Sequence, residues 1–168
     1  LDEEEWKAVM AGIETAVASV NDFRATEGKV LEAECMIRLS NIDTSSGKIV
    51  PFEEKRATFM REKIRKGLND LAEKGSVDEN RFEQELIYYI EKFDITEEKV
   101  RLQQHIDYFL ETIKDNVSNG KKLNFIAQEM GREINTIGSK ANDADIQKIV
   151  VVLKDELEKV KEQLFNIL

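Results

Sequence analysis

The stretch GKKLNFIAQEMGREINTIGSKA, residues 120–141, mixes apolar and polar residues with the period of a helix. Leu123, Ile126, Met130, Ile134 and Ile137 recur at steps of three and four, which lines them up on one face. Glu129, Arg132, Glu133 and Thr136 read as the opposite, polar sector. Gly120 marks the entry and Gly138 the expected C-cap. An ordinary solvated face carries interchangeable charges. This one combines amide, carboxylate, guanidinium and hydroxyl groups (Gln128, Glu129, Arg132, Asn135, Thr136), a set suited to a polar site.

The helix that follows has the most regular heptad of the chain. Ile146, Val150, Leu153, Leu157, Val160, Leu164 and Ile167 alternate steps of four and three, the seam of a helix–helix contact. Asp143 and Asp145 sit in its first turn. Working back toward the N-terminus, Leu102, Ile106, Phe109 and Ile113 form a fourth-helix stripe, with Asp94 and Glu97 as its start signal. Asn116 to Gly120 reads as a turn. Phe82, Leu86, Tyr89, Ile90 and Phe93 form the buried side of a third helix, opened by Ser76 with Glu79. Helices three and four are either separate or one rod. The second helix starts at Pro51 and runs to about Lys74, ended by Gly75. Asn41 to Val50, NIDTSSGKIV, reads as the clearest loop.

Residues 2 to about 40 read as one long helix. Trp6, Val9, Ile13, Ala16, Val20 and Phe23 step by three and four, and the pattern weakens at Glu27 and Gly28. Such a helix needs a partner along much of its length, or else forms a coiled-coil arm or breaks near Gly28. The expected fold is all-α. A long helical hairpin, in which helix two folds back on helix one, forms an arm over residues 1–76. A compact antiparallel bundle ending in the heptad helix fills residues 77–168.

The composition agrees. The chain has 168 residues, 35 per cent of them charged, with one Pro and one Cys. A lone Cys35 excludes an internal disulfide and suits a reducing compartment. No apolar run is long enough to span a membrane. The net charge of −9 argues globally against nucleic acid, because phosphate binding needs Lys and Arg. Locally, Lys55, Arg56, Arg61, Lys63, Arg65 and Lys66 form a basic run, read either as an RNA-steering patch or as a face paired with Glu27, Glu32 and Glu34. There is no Walker loop, GxGxxG, CxxC or HExxH.

Two clusters carry chemistry. Glu98, Arg101 and His105 share one side of helix four, and His105 is the only histidine. A group that titrates near neutral pH suits the proton transfer of RNA cleavage through a 2′-hydroxyl. The bland alternative is a helix-surface ion pair with a half-buried histidine. Glu129 and Glu133 with Arg132 and Lys140 would divide the work of phosphodiester cleavage between carboxylates, for a divalent ion, and cations, for phosphate. The bland alternative there is a salt-bridge ladder. Trp6 reads as core or interface, Cys35 as a small buried apolar group, and Tyr88 or Tyr89 as a base-stacking group with the other in the core.

Residues 120–146 and 151–167 resemble the C-terminal motif of the bacterial YicC family, GxKLDFxxQEMNREINTxGSKAxDAxI followed by VVxLKxELEKxREQxxNI. They depart from it at Asn124, Gly131 and Lys161, where the family has Asp, Asn and Arg. Asn124 weakens a metal site if that Asp is a ligand. The resemblance is strong from about Glu85 onward and rests only on helical character before that. It implies a cytoplasmic, homo-oligomeric, metal-dependent endoribonuclease, with a hexamer as the suggested size. It also implies an N-terminal domain that this chain does not contain. Under that reading His105, Glu129 and Glu133 are catalytic. Glu98, Glu129 and Glu133 hold Mn²⁺ or Mg²⁺, and Arg101, Lys121, Arg132 and Lys140 hold RNA phosphate. The rival is a non-catalytic helical scaffold, whose polar faces are filled by its own salt bridges.

Overall fold

The computed structural model describes residues 2–72, 79–115 and 119–165, and every regular element in them is a helix. The order is α1 (Glu3–Gly47), α2 (Val50–Ala72), α3 (Glu79–Phe93), α4 (Thr96–Thr112), α5 (Gly120–Ala141) and α6 (Ala144–Leu164). The all-α expectation holds. The expected stop at Gly75, cap at Ser76, boundary between residues 76 and 77, turn beginning at Asn116 and seam end at Ile167 lie outside the described residues.

α1 begins with a capping box. Asp2 Oδ1 accepts from the Glu5 amide at 2.8 Å, and Glu5 Oε2 accepts from the Asp2 amide at 3.1 Å. The helix passes Glu27 and Gly28 without a break. Residues 3–30 of it are exposed throughout, and full burial begins only at Cys35, Leu39 and Ile42. The arm is therefore a single helix whose last third is docked in the core.

Two expectations fail beside it. Asn41 to Val50 is not a loop: α1 continues to Gly47, and only Lys48 and Ile49 separate it from α2. Ile42, Ser45 and Ile49 step by three and four into the interior, and that burial outweighs the turn preference of Asp43, Thr44, Ser46 and Gly47. Nor does α2 fold back on α1. It packs instead against α3, with Arg65 stacked 5.7 Å from the Phe82 ring centre and Arg56 donating to the Phe93 carbonyl. The hairpin is α2–α3.

α3 and α4 are separate helices. Asp94 Oδ1 accepts from the Thr96 amide at 2.8 Å, and Ile95 is fully buried in the turn between them. α5 lies between α4 and α6 and runs antiparallel to both. All five residues of its expected stripe are buried, as are the described members of the α6 seam from Ile146 to Leu164. Gly138 is not the C-cap. The helix runs on to Ala141, and Asn142 takes the left-handed conformation at φ 43°, ψ 40°. Gly138 instead lets α6 come close, since a Cβ there would stand 3.1 Å from Val150 Cγ1.

A polar latch joins α1 to α6. Glu156 accepts from Asn41 Nδ2 at 2.8 Å and Arg38 Nη1 at 3.4 Å, and pairs with Lys159 at 2.8 Å. Hydrogen bonds from Lys159 and Asn41 lead the causes that hold its carboxyl down at about 2, below the usual carboxylate range. A lowered folded-state pKa contributes stability above the unfolded value near 4.5, lost as pH falls through about 2. Glu156→Gln should therefore be less stable than the parent at pH 7. The gap should narrow between about pH 4.5 and 2, as read by urea denaturation across that range; a gap independent of pH would show that the latch does not act through charge.

Candidate functional site

The α4–α5 contact positions the polar groups. At about 100° per residue, Lys122, Glu129, Glu133 and Lys140, spaced by seven, four and seven, fall on one flank of α5. Two contacts show that this flank faces α4. Lys140 Nζ meets Glu98 Oε1 at 2.7 Å, and Lys122 Nζ stands 4.7 Å from the Tyr108 ring centre. Seven residues on from Glu98 and seven back from Lys140 pair His105 with position 133. Three residues back from Tyr108 and three on from Lys122 pair it with position 125. The two anchors thus bracket His105 between positions 125 and 133 of α5, a stretch that contains Glu129 and ends at Glu133.

Glu133 corrects the sequence reading. It lies on the edge of the apolar stripe, 9 % exposed, rather than beside Arg132 on the outward face. Its place next to Ile134 and three residues after Met130 dictates this, whatever its polarity. Neither Glu133 nor the half-buried His105 has an ion pair or hydrogen bond among the described residues. The Glu133 carboxylate oxygens still reach solvent, since the sealed and unpartnered side-chain atoms among the described residues are Glu98 Oε2 and Thr112 Oγ1.

Glu98 is 5 % exposed, with Oε1 on Lys140 and Oε2 sealed and unpartnered. The pair resembles a structural clamp, since removing Lys140 would strand a buried charge. The remaining expected phosphate groups stand apart. Arg101 pairs with Glu97 at 2.5 Å and Arg132 with Glu129 at 2.8 Å, both on the surface, while Lys121 points away from α4. Exposed pairs of this kind contribute little and exchange readily. Among the described residues no three His, Cys, Asp or Glu side chains gather to hold a metal ion. Glu98, Glu129 and Glu133 therefore do not form the expected ligand set within one chain.

The basic run of α2 divides. Arg56 is partly buried and donates to the Ala141 carbonyl at 2.8 Å and to that of Phe93, tying the ends of α5 and α3 together. Burial lowers its pKa, opposed by Glu53, Asp143 and Asp94. Arg61, Lys63 and Lys66 remain exposed. Pairing with the acids of α1 is not seen, and Glu34 pairs instead with Arg38 at 2.5 Å. Burial, helped by Glu34, raises the Cys35 thiol to about 11, which excludes it as a nucleophile at neutral pH. Lys122 and Tyr108 were not singled out from sequence; the spacing of Lys122 with Glu129, Glu133 and Lys140 was the available signal.

Fold and site define an all-α protein whose long helix docks on an antiparallel bundle carrying a charged interhelical flank. Residues 49–168 match the family described as "Endoribonuclease YicC-like, C-terminal", and the chain belongs to that family. It is 37 % identical over 163 residues to the "Probable endoribonuclease YicC" of Clostridioides difficile (strain 630), covering 96 % of this chain and 56 % of that protein. It is 32 % identical over 145 residues to the protein of the same name from Haemophilus influenzae (strain ATCC 51907 / DSM 11121 / KW20 / Rd), covering 86 % and 50 %. The chain spans about half the length of the curated relatives it matches. No helix among the described residues is long and apolar enough to cross a membrane.

Proposed function

We propose that the chain is the helical part of a cytoplasmic endoribonuclease that cleaves RNA phosphodiester bonds beside the α4–α5 flank. The observation that carries this reading is that His105 on α4 and Glu133 on the facing flank of α5 are both unpartnered among neighbours whose charges are matched. His105 moves the proton of the attacking 2′-hydroxyl or of the leaving oxygen, and Glu133, with Glu129, supplies the second acid–base group. Arg101 and Arg132 leave their surface partners for phosphate, and Lys121 joins them. Lys140 keeps its place on Glu98 and positions the flank. A divalent ion, Mn²⁺ or Mg²⁺, would draw on Glu129 and Glu133 and need further ligands from beyond the described residues of one chain.

The scaffold alternative draws support from the filled pairs Glu97–Arg101 and Glu129–Arg132, but it gives no role to His105 and Glu133, which have no partner among the described residues. In the full-length protein, His105→Ala and Glu133→Gln should each lower cleavage of a short labelled RNA by about a hundredfold, with the circular dichroism spectrum unchanged. The assay is run with and without Mn²⁺ or Mg²⁺. Cleavage within twofold of the parent in both variants would return these residues to a structural role.

Self-association is part of the same proposal. Trp6, Val9, Ile13, Val17, Val20 and Phe23 lie exposed along the free arm, and between Lys7 and Asp22 the one charged residue is Glu14. A helix so poor in charge is built to be covered, and a second copy presents the same apolar seam. Basic surfaces from several copies would also offset the acidic net charge facing RNA. In sedimentation velocity the parent should run as an oligomer, and the Val9→Glu/Val20→Glu double variant as a smaller species. A parent that sediments as a monomer would remove the arm from assembly.

A further inference from the structure

The six exposed residues of α5 are Lys121, Phe125, Gln128, Arg132, Asn135 and Ser139. Their steps of four, three, four, three and four keep them within one narrow sector, facing away from the core. Three features set this stripe apart. It contains two cations and no carboxylate, in a chain with 34 acidic residues. Phe125 is 68 % exposed, whereas the other large apolar residues of the helix are buried. The amides of Gln128 and Asn135 have no hydrogen-bond partner among the described residues. Lys161 of α6 lies against the same helix, with Nζ 3.7 Å from where a Cβ on Gly131 would stand, though it is paired with Glu158 at 2.8 Å.

We propose that this stripe is a track for single-stranded RNA, in which the Phe125 ring stacks on one base and Lys121 and Arg132 hold the phosphates on either side. The proposal rests on the ribonuclease reading above and deepens it by naming the face of α5 on which the RNA lies and the residue that grips a base. Exposed aromatics among cations recognise unstacked bases, because every base offers a π-face, whereas a paired duplex hides its bases. The free amides of Gln128 and Asn135 are placed to meet base edges. Arg132 is available because its partner Glu129 is held in a surface pair of 73 % and 41 % exposed side chains, which exchanges readily. The stripe lies on the same helix as Glu129 and Glu133, so an RNA lying on it passes over the edge of the flank where cleavage is proposed. Phe125 is a positioning residue on this view, touching a base rather than the scissile phosphate.

The test is fluorescence anisotropy of a labelled single-stranded RNA with the full-length protein, using the parent, Phe125→Ala and Phe125→Trp, and repeating each with an abasic site scanned along the RNA. Phe125→Ala should weaken binding about tenfold or more and raise KM more than it lowers kcat. Phe125→Trp should bind within threefold of the parent. At one position the abasic RNA should lose affinity for the parent and for Phe125→Trp, and lose none for Phe125→Ala. Parent-like affinity of Phe125→Ala in a protein that binds and cleaves RNA would overturn the track and leave the ribonuclease reading intact. Parent-like RNA affinity with a changed sedimentation coefficient would also overturn it, by making Phe125 a protein-contact residue. A parent that neither binds nor cleaves RNA would remove the ribonuclease reading, and the track with it.

Discussion

The rotation of α5 about its own axis is the constraint on which the rest depends. Its stripe of Leu123, Ile126, Met130, Ile134 and Ile137 is held between α4 and α6, with Gly138 letting α6 close to contact distance. Turning the helix by one residue would expose several of these side chains, each worth about 1.5–3 kcal/mol of burial. Once the stripe is fixed, every polar residue has one direction left to it. Lys122, Glu129, Glu133 and Lys140 must face the α4 side, and Lys121, Phe125, Gln128 and Arg132 must face out. The Glu98–Lys140 pair and the Lys122–Tyr108 contact then set how far α4 slides along α5. Those two anchors bracket His105 against residues 125–133 of α5.

The same constraint explains what the sequence showed and what it hid. The stripes of α4, α5 and α6 were legible because each is a clean run of threes and fours, and burial respects that period. The side of Glu133 is not legible from its residue type, because its angle from Met130 and Ile134 puts it at the stripe's edge. The Asn41–Val50 segment misleads for a different reason. Its turn-forming residues are real, but Ile42, Ser45 and Ile49 are buried, and tertiary packing overrides local preference. The partner of α2 was not legible at all, since neither the Arg56 bonds to the carbonyls of Phe93 and Ala141 nor the Arg65–Phe82 contact leaves a periodic trace.

Charge is distributed by burial as well. Apart from Glu133, the buried and partly buried charges named above are committed to structure: Glu156 to Asn41, Arg38 and Lys159, Glu98 to Lys140, and Arg56 to two helix ends. The surface cations Arg101 and Arg132 are held only by pairs that solvent already weakens. An acidic chain in this arrangement retains a small set of movable positive groups near one helix pair. The exposed arm of α1, poor in charge between Lys7 and Asp22, is the other unsatisfied feature, and it lies at the far end of the helix whose last third the core already holds.

The most direct measurement is crosslinking of a 4-thiouridine-substituted single-stranded RNA to the full-length protein, followed by mass-spectrometric mapping of the modified peptides. Crosslinks on α4 and α5, between residues 96 and 141 and including the turns around Tyr108, Lys122 and Phe125, are expected if RNA lies along this helix pair. Efficient crosslinking confined to residues outside that range would contradict it.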